Sequence, residues 1–306
     1  MTSPADIRIG ISGWRYEGWQ GTFYPEGLSQ KKELQYASER LNSIELNGSF
    51  YSLQRPSSFK SWSDDTPDNF IFSVKAPRFI THIRRLVDCE GPLANFCAQG
   101  VLRLGKKLGP ILWQLPPSSK FNAEVIENFC RLLPHTHAEA ARIAANHDRW
   151  MNGRTWLELG PEVEGDRPMR HAIEVRHKSF ACEEYIAILR KYHVASVVAD
   201  TPMWPRLFDI TSDFMYCRLH GSEKLYSSGY TADALDEWSQ RVLAWSRGEE
   251  VREGDHASTS DGPKLTSRDV FVYFDNDQKV RAPFDAQDLQ RRIEDSPSRQ
   301  PLRVAN

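Results

Sequence analysis

Hydrophobic residues in this chain gather in eight short runs: 7–11, 43–46, 70–74, 111–115, 172–175, 195–199, 214–219 and 270–274. Each closes on polar or charged side chains. The successive endings are Ser12-Gly13-Trp14, Glu45 and Asn47, Lys75, Gln114, Glu174 and Arg176, Asp200, Arg218 and His220, and Asp275 with Asn276. Short β-rich runs alternating with longer amphipathic stretches predict βα units and a parallel sheet. Helices are predicted over 29–41, 57–64, 92–108, 122–133, 183–192, 232–246 and 286–293. After Asp200 the segment Thr201-Pro202-Met203-Trp204-Pro205 holds two prolines and no helical period, which predicts an abbreviated unit after the sixth strand.

Alternation within the runs separates two folds. Ile44 and Leu46 oppose Glu45 and Asn47; Ile173 and Val175 oppose Glu174 and Arg176; Cys217 and Leu219 oppose Arg218 and His220. Side chains alternate with period 2 along a strand, so one face stays apolar and the other turns polar at its top. An open sheet covered by helices on both sides wants both faces apolar. The pattern therefore predicts an α/β fold, a single-domain (β/α)₈ TIM-like barrel, with the polar ends meeting at its C-terminal mouth. Residues 1–6 read as an N-terminal extension, 7–295 as the barrel and 296–306 as a flexible tail. Two stretches exceed ordinary loop lengths: 135–170, an insertion between strands 4 and 5 with a helical part at 138–149, and 247–268, which reads as a mobile surface loop.

Composition narrows the classes. A chain of 306 residues suits one large α/β domain or two small ones. Its 40% hydrophobic and 26% charged content is ordinary for a globular protein. A formal net charge of −2 supplies no general attraction to nucleic acid or acidic membranes. The first residues lack the basic and apolar regions of a signal peptide, and no apolar run approaches the roughly 18 residues of a membrane span. Five cysteines are scattered singly, which fits a reducing cytoplasm and argues against a cysteine zinc site. A cytoplasmic location is the expectation; oligomeric state is open.

Several motifs resemble one known family. Gly10-Ile11-Ser12-Gly13-Trp14-Arg15-Tyr16-Glu17-Gly18-Trp19 with Phe23-Tyr24-Pro25, Glu45-Leu46-Asn47 with Ser49-Phe50-Tyr51, and Lys75-Ala76-Pro77 with Thr81-His82 open the match. Gln114-Leu115-Pro116-Pro117, Glu174 to Phe180, Arg218-Leu219-His220-Gly221 and Tyr273-Phe274-Asp275-Asn276 continue it. Together they resemble the DUF72 family of YecE-like proteins from about residue 8 to 290. The resemblance implies a (β/α)₈ barrel with a site at the strand ends; the family has no established biochemical function. Two positions depart from its pattern: Asp275-Asn276, where many relatives resemble Asn-Asn, and Ser49, at a usual threonine.

The strand ends supply candidate chemistry. Glu45, Glu174 and Asp200 can act as base, acid or metal ligand according to how their surroundings tune them. Glu174 or Glu45 is the expected base and His220 the proton partner. Lys75, Arg176 and Arg218 would hold an anion, since the guanidinium fork matches carboxylate and phosphate. Asn47, Gln114 and Asn276 would orient it. The competing reading is a charge ladder inside the lumen, Glu174 with Arg218 or Glu45 with Lys75. His82 is a second proton carrier or an ordinary loop histidine, and Gly221 allows close backbone approach. Trp14 follows its strand end directly and is the expected ligand-facing ring. Tyr16, Trp19, Phe23, Tyr24, Phe50, Tyr51, Trp62, Trp204, Tyr226 and Tyr230 either stack on a ligand or form a lid.

Glu45, Glu174, Asp200 and His220 also make a mixed oxygen and nitrogen set that suits a divalent metal. No close-spaced histidine motif enforces a site, so no metal ligand and no cofactor are assigned. No Gly-rich phosphate loop or nucleophile elbow is present, and Cys217 has the parity of the helix-facing side. The expectation is acid–base chemistry on a small anionic substrate, a phosphorylated sugar or nucleotide-like compound. The rivals are a metal-assisted phosphodiesterase or nuclease, and a non-catalytic barrel that binds a metabolite or protein. Glycoside hydrolysis is weaker, because Glu45 and Glu174 come from strands three apart.

Overall fold

A computed structural model describes residues 5–161, 163–221, 229–276 and 280–296. Eight parallel strands close into a barrel in chain order: β1 (Ile7–Ser12), β2 (Ser43–Leu46), β3 (Ile71–Lys75), β4 (Leu108–Gln114), β5 (His171–Glu174), β6 (Ala195–Asp200), β7 (Phe214–Leu219) and β8 (Asp269–Phe274). These are the eight predicted runs; the largest difference is at β4, which begins at Leu108 instead of 111. The helices are α1 (Gln30–Ser38), α2 (Gly48–Tyr51), α3 (Pro56–Asp64), α4 (Glu90–Ala98), α5 (Ala123–Leu132), α6 (His137–Ala144), α7 (Glu183–Lys191), α8 (Ala232–Ser246) and α9 (Ala282–Glu294). Between β6 and β7 no helix forms, as the two prolines require. The helix expected over 92–108 breaks after α4. Gly100 turns the chain at φ 107°, and a Cβ there would lie 2.6 Å from Pro56 Cα. No helix among the described residues is long and apolar enough to cross a membrane.

Alternation divides the core in two. Ile9, Ile44, Val74, Ile111, Ile173, Val198, Cys217 and Val272 face the helices. Leu112, Ala172, Ala195, Val197, Phe214, Tyr216, Phe271 and Tyr273 fill the lower lumen. The hydroxyls of Tyr216 and Tyr273 are satisfied by Ser73 (2.6 Å) and Ser43 (2.8 Å), so the plug carries no stranded phenol. Gly10 lets β1 approach β2, since a Cβ at that position would stand 1.9 Å from the Ser43 carbonyl oxygen.

The long connections are built in. In the 135–170 insertion Thr136 and Glu139 form a reciprocal capping box at the start of α6. Asp148 and Asn95 exchange two hydrogen bonds of 2.7 and 2.9 Å that tie the insertion to α4. In the 247–268 stretch, expected to be mobile, Ala257 and Ser258 amides donate to Asp209 (2.8 and 2.9 Å), and Arg190 holds Ser258 and Ser260. Of the expected terminal segments, residues 1–4 and 297–306 lie outside the described residues, as does Tyr226.

Candidate functional site

Strand register gathers the polar ends of the lumen faces. Ser12 lies beside Glu45, and Gln114 beside Glu174. From β7, Arg218 reaches across the lumen. Its Nε and Nη2 donate to the two Glu45 oxygens (2.9 and 2.8 Å), and Nη1 donates to Glu174 (2.7 Å). Nη2 also donates to Asp275 (2.9 Å) and to Ser12 Oγ (3.3 Å). Glu45 further accepts from Ser12 Oγ (3.0 Å) and Tyr216 OH (2.8 Å); the second Glu174 oxygen accepts from Arg176 Nε (2.6 Å). His220 Nδ1 stands 3.0 Å from Asp275. Arg218 is 1% exposed, and Glu45 and Glu174 are fully buried.

Burial would raise the Glu174 carboxyl, but Arg176, Arg218, His220 and Lys75 outweigh it and hold it well below the carboxylate range. Asp275 is held at about 2 in the same way, burial being overcome by Arg218 and His220. Burial opposes the charge on Arg218, yet Glu45, Asp275 and Glu174 push its guanidinium well above its ordinary value. Two expected roles change as a result. Glu174, expected to be a base, is a locked counter-ion that holds no proton at neutral pH. Arg218, expected to grip a ligand, has its fork engaged by three carboxylates and a hydroxyl. The lumen ladder is the observed arrangement, with Glu45 bonded to Arg218 instead of Lys75.

Above this array a cleft of about 900 Å³ opens at the mouth, walled by loops after β1 to β4 and reaching Arg176 and Asp275. It brings together Trp14, Asn47, Lys75, His82, Gln114 and Arg176 from the expected set. Lys75 lies at its base with Nζ 4.3 Å from the Phe50 ring centroid. Among the described residues Lys75 Nζ makes no hydrogen bond or ion pair. Burial first, and then Arg218, push its amine from 10.5 down to about 8; Glu45, Asp275 and Glu174 oppose the shift. His82 Nδ1 pairs with Thr81 Oγ1 (2.9 Å), and its ring meets Phe50 edge-on at 5.1 Å. Burial, then Lys75, Arg176 and Arg78, press His82 down to about 4 against Glu174, so it is neutral at pH 7. Asn47 Oδ1 is buried with no hydrogen-bond partner among the described residues. Trp14 packs edge-on against Trp62 at 5.8 Å, and Arg176 lies 4.3 Å over the Trp204 ring.

Other expected residues stand elsewhere. Asp200 shares the face of Val198, which packs toward the helices, and bonds to Arg206 (2.7 Å) and Tyr230 OH (2.8 Å). Asn276 follows the parity of Val272 and Phe274 and donates to Asp285 on α9 (2.9 Å). His220 is buried behind Trp204, ring centroids 5.6 Å apart, outside the cleft wall. Gly221 has φ 104° and donates its amide to Tyr230 OH (3.2 Å), so it serves a turn. Trp19, Phe23 and Tyr24 are buried together as a packed lid base. Asp275, Ser12 and Tyr216 are members of the array that the sequence reading did not assign to the site. Among the described residues no group of three or more His, Cys, Asp or Glu side chains is placed to hold a metal.

Fold and site together define a parallel (β/α)₈ barrel protein with an arginine-bridged lumen under a cationic cleft. The chain belongs to the DUF72 family, whose model, described as a protein of unknown function, matches residues 8–305. It is similar to the UPF0759 protein YunF of Bacillus subtilis, 33% identical over 116 residues, 36% of this chain and 40% of that protein. It is also similar to the UPF0759 protein YecE of Escherichia coli K12, 29% identical over 183 residues, 55% of this chain and 64% of that one. These alignments thus span less than two thirds of either relative. Among solved structures, a DUF72 family protein from Thermotoga maritima shares the fold with a TM-score of 0.71 at 24% identity, covering 94% of this chain and 99% of that one. Another from Enterococcus faecalis V583 gives 0.65 at 17% identity, covering 95% and 96%.

Proposed function

We propose that this chain is a cytoplasmic enzyme that does acid–base chemistry on a small anionic substrate, a phosphorylated sugar or nucleotide-like compound, in the mouth cleft. The observation that carries the reading is the Lys75 ammonium, enclosed at the base of the cleft with no hydrogen bond or ion pair among the described residues, while the neighbouring Arg218 is saturated. An enclosed charge without a partner is costly, and an anion from solution removes that cost. Lys75 and the half-buried Arg176 receive the anionic group, and Trp14 and Phe50 flank the remainder. Proton transfer falls to Lys75, tuned toward neutrality, and to His82, whose neutral ring can accept a proton. The carboxylate array beneath fixes the field that both groups feel. The reading needs no cofactor. Five free cysteines, four of them buried, agree with the compartment.

Titration calorimetry with phosphate, pyrophosphate, hexose phosphates and nucleoside monophosphates tests it. Saturable binding that weakens at least about tenfold in Lys75→Gln and in Arg176→Gln is the expected result. Binding that is absent, or indifferent to both substitutions, contradicts it. Compounds that bind but remain unchanged after prolonged incubation with stoichiometric protein would make the barrel a binding protein instead.

A further inference from the structure

Two partly buried lysines of this chain have opposite surroundings. Lys107 Nζ donates to the carbonyls of Ser63 (2.6 Å) and Thr66 (2.8 Å) and to Thr66 Oγ1 (3.3 Å), which commits all three of its protons to the fold. Lys75 lines the cleft with Nζ over the flat side of Phe50, and among the described residues it makes no hydrogen bond or ion pair. A saturated ammonium cannot present a lone pair; one that is desolvated and set beside other cations loses its proton easily and becomes a nucleophile. The same cleft offers a neutral imidazole (His82) and a cation at the wall (Arg176), and it is lined by Asn47, whose buried Oδ1 has no hydrogen-bond partner among the described residues. Those are the groups that addition of an amine to a carbonyl calls for.

We propose that Lys75 forms a covalent imine with the carbonyl carbon of a small anionic aldehyde or ketone. This rests on the anionic-substrate reading and names the reactive group of that substrate. In the step, Lys75 reacts as the free amine, its ammonium proton having gone to solvent, and attacks the carbonyl carbon. A C–N bond forms as the carbonyl π bond breaks, and the oxygen takes the proton that the attacking nitrogen loses, relayed by the neutral His82 ring. A second proton, drawn from solvent through His82, lets the carbinolamine hydroxyl leave as water, and the nitrogen lone pair closes the C=N bond. Ammonium plus carbonyl thus yields protonated imine plus water, with no oxidant or reductant. The charged groups that act on Lys75 are Arg218, Glu45, Asp275 and Glu174, with His82 and Arg176 beside it. The first of these lowers its proton affinity, and the three acids partly restore it.

The test uses the full chain with glyceraldehyde 3-phosphate, pyruvate and uncharged glyceraldehyde, each trapped with sodium borohydride and read by intact mass and peptide mapping. The expected result is one adduct per chain on the Lys75 peptide with the anionic carbonyls. At pH 7.5 its yield should exceed that of any other lysine by at least about tenfold, because on the order of a hundredfold more of the amine is unprotonated. The yield should rise through pH 8, whereas exposed lysines respond only well above it. Lys75→Arg keeps the charge and should lose the adduct; should that variant not fold, the wild-type map alone decides. Adducts spread evenly over exposed lysines, with the Lys75 peptide unmodified, overturn the proposal. Phosphate calorimetry on the same protein separates the two readings. Binding without Lys75 modification ends the imine and keeps the anion site; modification without phosphate binding keeps the imine and removes the anion site; neither ends both.

Discussion

Arg218 and Lys75 are both lumen-facing cations at the top of the same barrel, one from β7 and one from β3, yet they stand in opposite conditions. Arg218 meets two oxygens of Glu45, one each of Glu174 and Asp275, and a serine hydroxyl. Lys75 meets an aromatic face and open cleft. The difference teaches that charge inside a barrel does not identify a site. A fully paired arginine describes how the lumen holds itself together; an ammonium without a hydrogen bond or ion pair among the described residues is what the proposed anion site rests on.

The largest effect should come from breaking the paired side. Arg218→Met strands two fully buried carboxylates and the partly exposed Asp275 and should cost about 3–5 kcal/mol in urea denaturation; a loss below about 1 kcal/mol would erase the contrast between the two cations. Asp275→Asn comes next. The folded carboxyl sits at about 2 against an ordinary 3.8, so its contribution is fully present above pH 4 and is lost as pH falls toward 2. Removing it should cost about 2 kcal/mol at pH 7 and flatten the acid limb of the stability curve. It should also tighten phosphate binding several-fold, because a negative charge leaves the base of the cleft.

Lys75→Met tests the unpaired side and should have the opposite sign. The folded amine lies at about 8, below its unfolded value of 10.5. Its charge therefore costs stability in full below pH 8, and that cost fades as pH rises to 10.5. The variant should be more stable than wild type by about 1–2 kcal/mol at pH 7, with the gap closing across that window and phosphate binding lost. A destabilised variant would mean that Lys75 is held by the acids after all. The smallest effect is expected at Asp200→Asn, about 1 kcal/mol from weakened bonds to Arg206 and Tyr230. Phosphate affinity there should be unchanged, since this acid lies on the helix side; a change in affinity would extend the site beyond the cleft.

Much of this was legible in the sequence because alternation carries it. Alternation with one apolar face implied a closed barrel, and the same parity put Glu45, Asn47, Glu174, Arg176, Arg218 and His220 on the lumen side, with Lys75 and Gln114 joining them as strand endings. Asp200 and Asn276 were misplaced because they were chosen by residue type. Read by parity, Asp200 goes with Val198, and Asn276 goes with Phe274, which leaves Asp275 with Tyr273 in the lumen. Partners across the barrel were not legible. Nothing local says that Arg218 would reach Glu45, 173 positions away, and that contact reassigns Arg218 from ligand binding to architecture. Nor could the strand pattern show that Trp204, from a proline-rich connection, packs edge-on against the His220 ring.

The most direct test of the account is an NMR titration of the Lys75 Cε resonance, with and without phosphate. A midpoint near 8 in the free protein, moving toward 10.5 when phosphate is added, is the predicted result. A midpoint already near 10.5 and indifferent to phosphate would show that Lys75 is satisfied by the fold, and that the mouth of this barrel is not built around an unpaired amine.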